Sequence, residues 1–166
     1  MRRYAVVFGL LVVSVAVWAS TASAIKSPQT ISLLEVDEPN NEQQLGDFTF
    51  DRPPTGGDQL GFANTLYAWK GTGRGARVGH DQGVITFITG FGPDFSKKAL
   101  ALFTAQVWLP GGTLFIEGFG RLNPDGPAMY TFPVLGGTGI YANARGSLKV
   151  RDLPTGNTSL VFHLLP

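Results

Sequence analysis

The chain predicts an all-β domain, either a sandwich or a closed antiparallel barrel, on three observations. It holds 22 glycines and 11 prolines in 166 residues, which favours many turns and short strands over helices. Short apolar runs recur along it, each ended by Gly, Pro, Asn or Asp turn chemistry. No segment carries an apolar stripe at helical spacing.

Taken in order, Ile31 to Asp37 (ISLLEVD) reads as the first strand. Glu38 to Gln44 is polar, contains Pro39 and reads as a loop, with a short strand expected over Gly46 to Phe50. Asp51 to Asp58 (DRPPTGGD) is turn chemistry throughout, since Pro fixes φ and Gly allows reversals. Leu60 to Trp69 and Arg77 to Thr89 are the next strands, joined by a GTGRG turn. Ala99 to Leu109 is rich in the helix formers Ala and Leu. Its neighbours are strands, however, and Pro110-Gly111-Gly112 stops it like a hairpin, so it is assigned as a strand. Thr113 to Arg121, Met129 to Leu135, Ala144 to Arg151 and Thr158 to Leu164 complete a set of eight or so strands. The segments 99–109 and 113–119 are apolar on both faces. In a barrel one face fills the interior, and the other is expected to be covered by neighbouring subunits or helices.

The first 24 residues read as a secretory signal peptide: Arg2-Arg3, then an apolar run from Val6 to Trp18, then the small-x-small site Ala22-Ser23-Ala24. That run is shorter than the roughly 20 residues a membrane-spanning helix needs. The expectation is one domain over residues 25–166, secreted or periplasmic, with no membrane span after cleavage. Without Arg2 and Arg3 the acidic side chains outnumber the basic ones by one. Such a chain has no electrostatic reason to bind nucleic acid. It has no cysteine, which removes disulfides and thiolate metal sites, and two histidines make a His-rich metal site improbable.

Two segments narrow the fold. Thr131 to Val150 (TFPVLGGTGIYANARGSLKV) joins two strands through a Gly-rich corner, in which Gly136, Gly137 and Gly139 are expected to supply φ > 0. Gly57 to Val84 contains GDQLGFANTLYAW and RVGHDQGV, and Gly112-Thr113-Leu114 leads to Gly118 between the two. In this order they resemble allene oxide cyclases, and the Gly-rich corner is similar to that of plant dirigent proteins as well. The resemblance implies a single eight-stranded antiparallel β-barrel with a central apolar cavity, often trimeric, working without a cofactor on a hydrophobic small molecule. Allene oxide cyclases fold a fatty-acid epoxide for ring closure, dirigent proteins orient phenoxy radicals or quinone methides, and bacterial relatives include polyketide cyclases.

Carried over residue by residue, the resemblance makes Glu35 the carboxylate that assists epoxide opening by charge delocalisation. Asn64 becomes the amide that holds a water against the epoxide oxygen. Asp37 stands where cyclases have Asn and matches a dirigent Asp. The cyclase pocket Cys falls on Ile85, its later pocket Tyr near Gly120, and its second-strand proline near Gln44. A second dirigent Asp falls on Gly120 and Arg121, and a dirigent Arg on Tyr130. Glu35, Asn64 and Asp37 are therefore the candidate catalytic residues, with Phe62, Leu66, Ile85, Phe103, Phe115 and Tyr130 as candidate pocket walls. Read from the residues alone, Glu35 and Asp37 lie two apart and share one strand face. In an apolar cavity desolvation and mutual repulsion raise their pKa values, giving a neutral acid able to protonate an epoxide, carbonyl or quinone methide oxygen. The bland alternative puts both in solvent beside a turn.

Other features read as structure. His80 and Asp81 are neighbours on a strand, so they point to opposite faces unless Gly79 and Gly83 introduce a bulge, and hydrogen bonding at the barrel rim is the favoured role. GTGRGAR lacks the helix and Lys-Ser/Thr pair of a phosphate cradle. Trp69, Trp108, Phe87, Phe119 and Tyr141 are candidates for either pocket or core. Arg145 is expected to pair with an acid at the barrel end, and Asn157-Thr158-Ser159 is a glycosylation sequon. The leading expectation is a cofactor-free isomerase or cyclase acting on a hydrophobic ligand. The alternatives are a non-catalytic dirigent-like guide and an envelope protein whose barrel is filled by its own side chains.

Overall fold

A computed structural model of the chain describes residues 25, 27–36, 42–45, 51–71, 73–93, 97–123, 126–127 and 129–166. The expected signal peptide (residues 1–24), Asp37 and the short strand expected at 46–50 lie outside the described residues. The strands are β1 (Gln29–Val36), β2 (Glu42–Leu45), β3 (Gln59–Trp69), β4 (Arg74–Phe87), β5 (Ala99–Leu109), β6 (Gly112–Leu122), β7 (Met129–Gly137), β8 (Arg145–Asp152) and β9 (Thr158–Leu165). All pairings are antiparallel, in the order β1-β9-β8-β7-β6-β5-β4-β3, and β1 closes the ring by pairing with β3. The result is a closed eight-stranded barrel, which removes the sheet edges that an open sandwich would leave. Ala99–Leu109 is a strand in spite of its composition, because it is paired along its whole length with β6 and over eight residues with β4.

β2 corrects the expected loop over Glu38 to Gln44. Val36 pairs with Thr65 and Glu42 with Phe62, so β1 and β2 occupy successive stretches of one side of β3. Backbone pairing needs no apolar side chains, and the sequence EQQL gives no alternation to detect.

One end of the barrel is plugged. Inward residues of seven strands, among them Leu33, Leu66, Val107, Leu114, Phe162 and Leu164, form a continuous core there. The Gly-rich corner seals it through a 3-10 turn at Gly139–Tyr141, which drops Tyr141 against that core with 6% exposure. Hydrogen bonds tie the corner to the β5–β6 hairpin: Thr138 N to Thr113 O at 2.8 Å, Ile140 N to Gly111 O at 2.9 Å, and Thr113 N to Thr138 Oγ1 at 3.1 Å. Of the corner glycines only Gly139 has positive φ, at 60°, and a Cβ there would lie 1.9 Å from Gly111 O. Gly136 and Gly137 instead end β7 in ordinary strand conformation, contrary to expectation.

The other end, where β1 and β8 finish and β9 begins, stays open on one side. A smaller core of Phe87, Phe91, Ala99 and Ala101 flanks it. The loop 51–58 hooks onto this rim through Gly57 N to Phe87 O at 2.7 Å and Phe91 N to Pro54 O at 3.3 Å. Its shape is set by Asp58, which takes two bonds from the Arg52 guanidinium at 2.6 and 3.0 Å and one from Thr55 N at 2.6 Å. The Arg52 bonds first, then the Thr55 N–H, hold the Asp58 carboxyl well below the usual carboxylate range. A depressed folded-state pKa stabilises fully above the unfolded value near 3.9, and that stabilisation fades as pH falls toward the folded value. Asp58→Asn is therefore expected to lower Tm by a constant increment above about pH 4. Below that the two melting curves should converge, which thermal melts across pH will check.

Candidate functional site

The strand alternation that builds the core also builds a cavity. Above the plug the lumen leaves about 250 Å³, reached from the open end. Glu35 from β1, Phe62 and Asn64 from β3, Asp81 and Ile85 from β4, and Phe103 from β5 contribute to its wall. Tyr130 and Phe132 from β7, Asp152 from β8 and Thr158 from β9 complete the part relevant to chemistry. At the ~30 Å³ of one liquid water this space holds about eight waters, or a small organic molecule of one or two rings.

The wall has two sides. On the first, Glu35 pairs in register with Thr158, and Thr158 with Asp152, so three polar side chains form one row across β1, β9 and β8. Thr158 Oγ1 donates to Asp152 Oδ1 at 3.1 Å. The row continues diagonally to Asn64 on β3, whose register partner on β4 is Asp81. Both are buried, Asn64 at 6% and Asp81 at 3% exposure, and Asn64 N–H donates to Asp81 Oδ1 at 3.3 Å. Burial of an amide and a carboxylate in a lumen is costly unless they are held by partners, and neither is without one.

The second side is aromatic. Phe103 lies 5.3 Å from Tyr130 and 5.0 Å from Phe132, ring centre to ring centre, and Tyr130 and Phe132 are 5.6 Å apart. Glycines make the seats: a Cβ on Gly120 would meet Phe103 at 2.8 Å and Tyr130 at 3.0 Å, and one on Gly118 would meet Phe132 at 2.8 Å. Burial, and next the nearby Asp152 charge, push the Tyr130 phenol above its ordinary pKa, so it stays protonated and able to donate. Gly120→Ala is expected to push the Phe103 and Tyr130 rings into the cavity, at an overpacking cost of about 1–3 kcal/mol. Ligand uptake and Tm should both fall. Gly136→Ala, where a Cβ meets nothing within 4 Å, is the control that should change neither.

The structure places Glu35, Asn64, Phe62, Ile85, Phe103 and Tyr130 on the one cavity. Asp37 lies outside the described residues. Leu66 is fully buried in the plug, next to Glu35 in register, and is packing below the cavity rather than wall. Phe115 sits between the inward residues Leu114 and Ile116 and so faces outward. Among the cavity residues not foreseen as such are Asp81, Asp152, Thr158 and Phe132. Asp81 shares strand parity with Ile85, and Asp152 with Leu148 and Val150, which is the signal that places them. Of the two register shifts between β3 and β4, the one nearer the cavity falls at Val78, between the Gly79 and Arg77 pairings, and the other lies between Arg77 and Arg74, leaving regular register through His80 and Asp81. His80 accordingly points outward, stacked on Trp108 at 4.7 Å and 10°, and forms no dyad with Asp81. Phe119 is outward and 64% exposed, while Phe87 and Tyr141 are core.

No protein-family model matches the chain, and no curated protein matches it. Solved structures do. A pyocyanin demethylase is 26% identical with a TM-score of 0.58, over 82% of this chain and 99% of that one. AbnU, an exo-specific intermolecular Diels-Alderase, is 17% identical with a TM-score of 0.61, over 83% and 98%. The pterocarpan synthase dirigent protein PsPTS1 is 15% identical with a TM-score of 0.60, over 84% and 94%. The chain is thus similar in fold to these proteins, as a closed antiparallel β-barrel. Likeness at this level shows the fold and leaves the reaction to the residues of the cavity.

Proposed function

We propose that the protein is an exported small-molecule enzyme that binds a compact, largely apolar, ring-bearing substrate in its lumen and rearranges it by proton transfer, as an isomerase or cyclase. The observation that carries this is the open 250 Å³ cavity with Glu35, Asn64 and Asp81 on one wall and Phe103, Tyr130 and Phe132 on another. Glu35 is the acid or charge-stabilising group, Asn64 and the Tyr130 hydroxyl anchor the oxygen on which charge develops, and the rings set the substrate's conformation. Orientation in a desolvated cavity then supplies much of the rate. The size argues against a long acyl chain, since ligand pockets for larger molecules run from about 300 Å³ upward. It also argues against an envelope protein whose barrel is filled by its own side chains.

The likeness to a pyocyanin demethylase, which extends over nearly all of that protein, makes pyocyanin the first molecule to test. Native mass spectrometry of the protein recovered from its own cells should show a small organic adduct, displaced when a competing lumen ligand is added. A protein that carries no adduct and takes up no apolar fluorophore would sink the reading. The dirigent neighbour supports a second reading, a non-catalytic guide for phenolic radicals. A racemic product from a radical coupling run with the protein present excludes it.

A further inference from the structure

The charged side chains on the cavity wall are of one sign. Glu35, Asp81 and Asp152 reach it from three different strands, and among the described residues lining it there is no Lys, Arg or His. The acids do not gather into one cluster, since no group of three acidic or histidine side chains among the described residues is close enough to share a metal ion. They are spread instead along the arc from β8 through β9, β1 and β3 to β4. Opposite that arc stand the rings of Phe103, Tyr130 and Phe132.

Both sides favour the same ligand charge. A ring face carries negative electrostatic potential and attracts a cation placed over it, more strongly where water is excluded. A carboxylate attracts the same cation and repels an anion, again more strongly in a medium of low polarity. Neutral apolar ligands gain only the area they bury. An anionic ligand would be desolvated into a lumen offering it no positive side chain among the described residues.

We infer that the lumen selects a flat aromatic cation, a quaternised or protonated nitrogen heterocycle held between the aromatic side and the carboxylate arc. This rests on the reading of the lumen as a small-molecule site and names the class of substrate it takes. It separates the protein from barrels that accept carboxylate-bearing or phenolate ligands. Asp152, anchored by Thr158 at the mouth, is the residue it adds to the site as a specificity determinant.

Three probes of matched shape test it: N-methylquinolinium, its neutral counterpart 1-methylnaphthalene, and the anion 1-naphthoate. Each is titrated by calorimetry against the full-length protein at neutral pH. The expected result is that the cation binds at least tenfold more tightly than the neutral ring and that the anion does not bind measurably. In Asp152→Asn, whose fold is checked by circular dichroism and Tm, the cation's advantage should fall several-fold while the neutral ring binds as before. Equal affinity for cation and neutral ring overturns the charge selection and leaves the small-molecule reading standing. A preference for the cation that is unchanged in both Asp152→Asn and Glu35→Gln puts the cation elsewhere on the protein and overturns the inference. If none of the three binds, the inference and the lumen reading fall together.

Discussion

Glu35→Gln is expected to lower kcat by about 10²- to 10⁴-fold, the range a positioned general acid contributes, with ligand affinity within a few-fold of the parent protein. The side chain reaches the cavity from the last turn of pleat in β1, opposite Thr158 and diagonal to Asn64. Gln keeps the volume and one acceptor oxygen, turns the other into an NH2 donor, and removes the ability to exchange a proton or carry charge. The variant should therefore melt close to the parent and still take up ligand. Asn64→Ala is a weaker perturbation of the same wall, because the Asn64 backbone N–H still reaches Asp81 when the amide is gone. Its loss should appear mainly in kcat if the amide anchors a developing oxyanion, at about 10²- to 10³-fold by analogy with a deleted oxyanion donor. Asp81→Asn decides between the two acids, half-buried Glu35 and buried Asp81. If Glu35→Gln leaves turnover unchanged and Asp81→Asn abolishes it in a protein of native Tm, the acid is Asp81 and the role given to Glu35 is wrong.

The uneven legibility of this site has a physical cause. Alternation along a strand says which residues share a face, and it says nothing of which face is inside. In β1 both parities carry two polar residues, so Glu35, Phe62 and Asn64 are assigned to the lumen through the resemblance of their segments to allene oxide cyclases and not through alternation. In β6 both parities are apolar: Leu114 and Ile116 alternate with Phe115 and Phe119. An aromatic then attracts the assignment on chemistry alone, and Phe115 proves to face outward. Asp81 was hidden for a related reason. Its neighbour His80 drew attention as the more reactive side chain, although parity with Ile85 already puts Asp81 in the cavity. Asp152 and Thr158 sit at the two ends of a hairpin, Asp152 in register with Thr158, where polar residues are ordinarily read as turn surface. Turn chemistry, by contrast, depends on single residues with fixed conformational effects. That is why most strand boundaries were legible to within a few residues while the β2 pairing, which is backbone against backbone, was not.

Phe162→Ala is expected to cost about 3–5 kcal/mol, the range for a deleted core aromatic, and to be the most damaging conservative change in the plug. Phe162 on β9 is fully buried and is, among the described residues, the largest side chain with no exposure. It pairs with Ile31 on β1 and Leu148 on β8, so its ring sits where three adjacent strands of the barrel wall must agree in register. Removing it leaves a void that a closed barrel cannot collapse, because hydrogen bonding around the ring fixes the diameter. A domain of this size shifts by a few degrees in Tm per kcal/mol, so the fall should be about 10–20 °C. Phe162→Leu, which keeps most of the volume, should recover more than half of it. The contrast with Glu35→Gln separates the two halves of the lumen. A change in the plug should move Tm and, in the protein that remains folded, leave turnover intact. An isosteric change of a polar group at the open end, as in Glu35→Gln, should lower turnover and leave Tm close to that of the parent. Should Phe162→Ala instead melt like the parent, the closed end is not the stabilising core of this barrel, and the division of the lumen into a plug and a site loses its energetic basis.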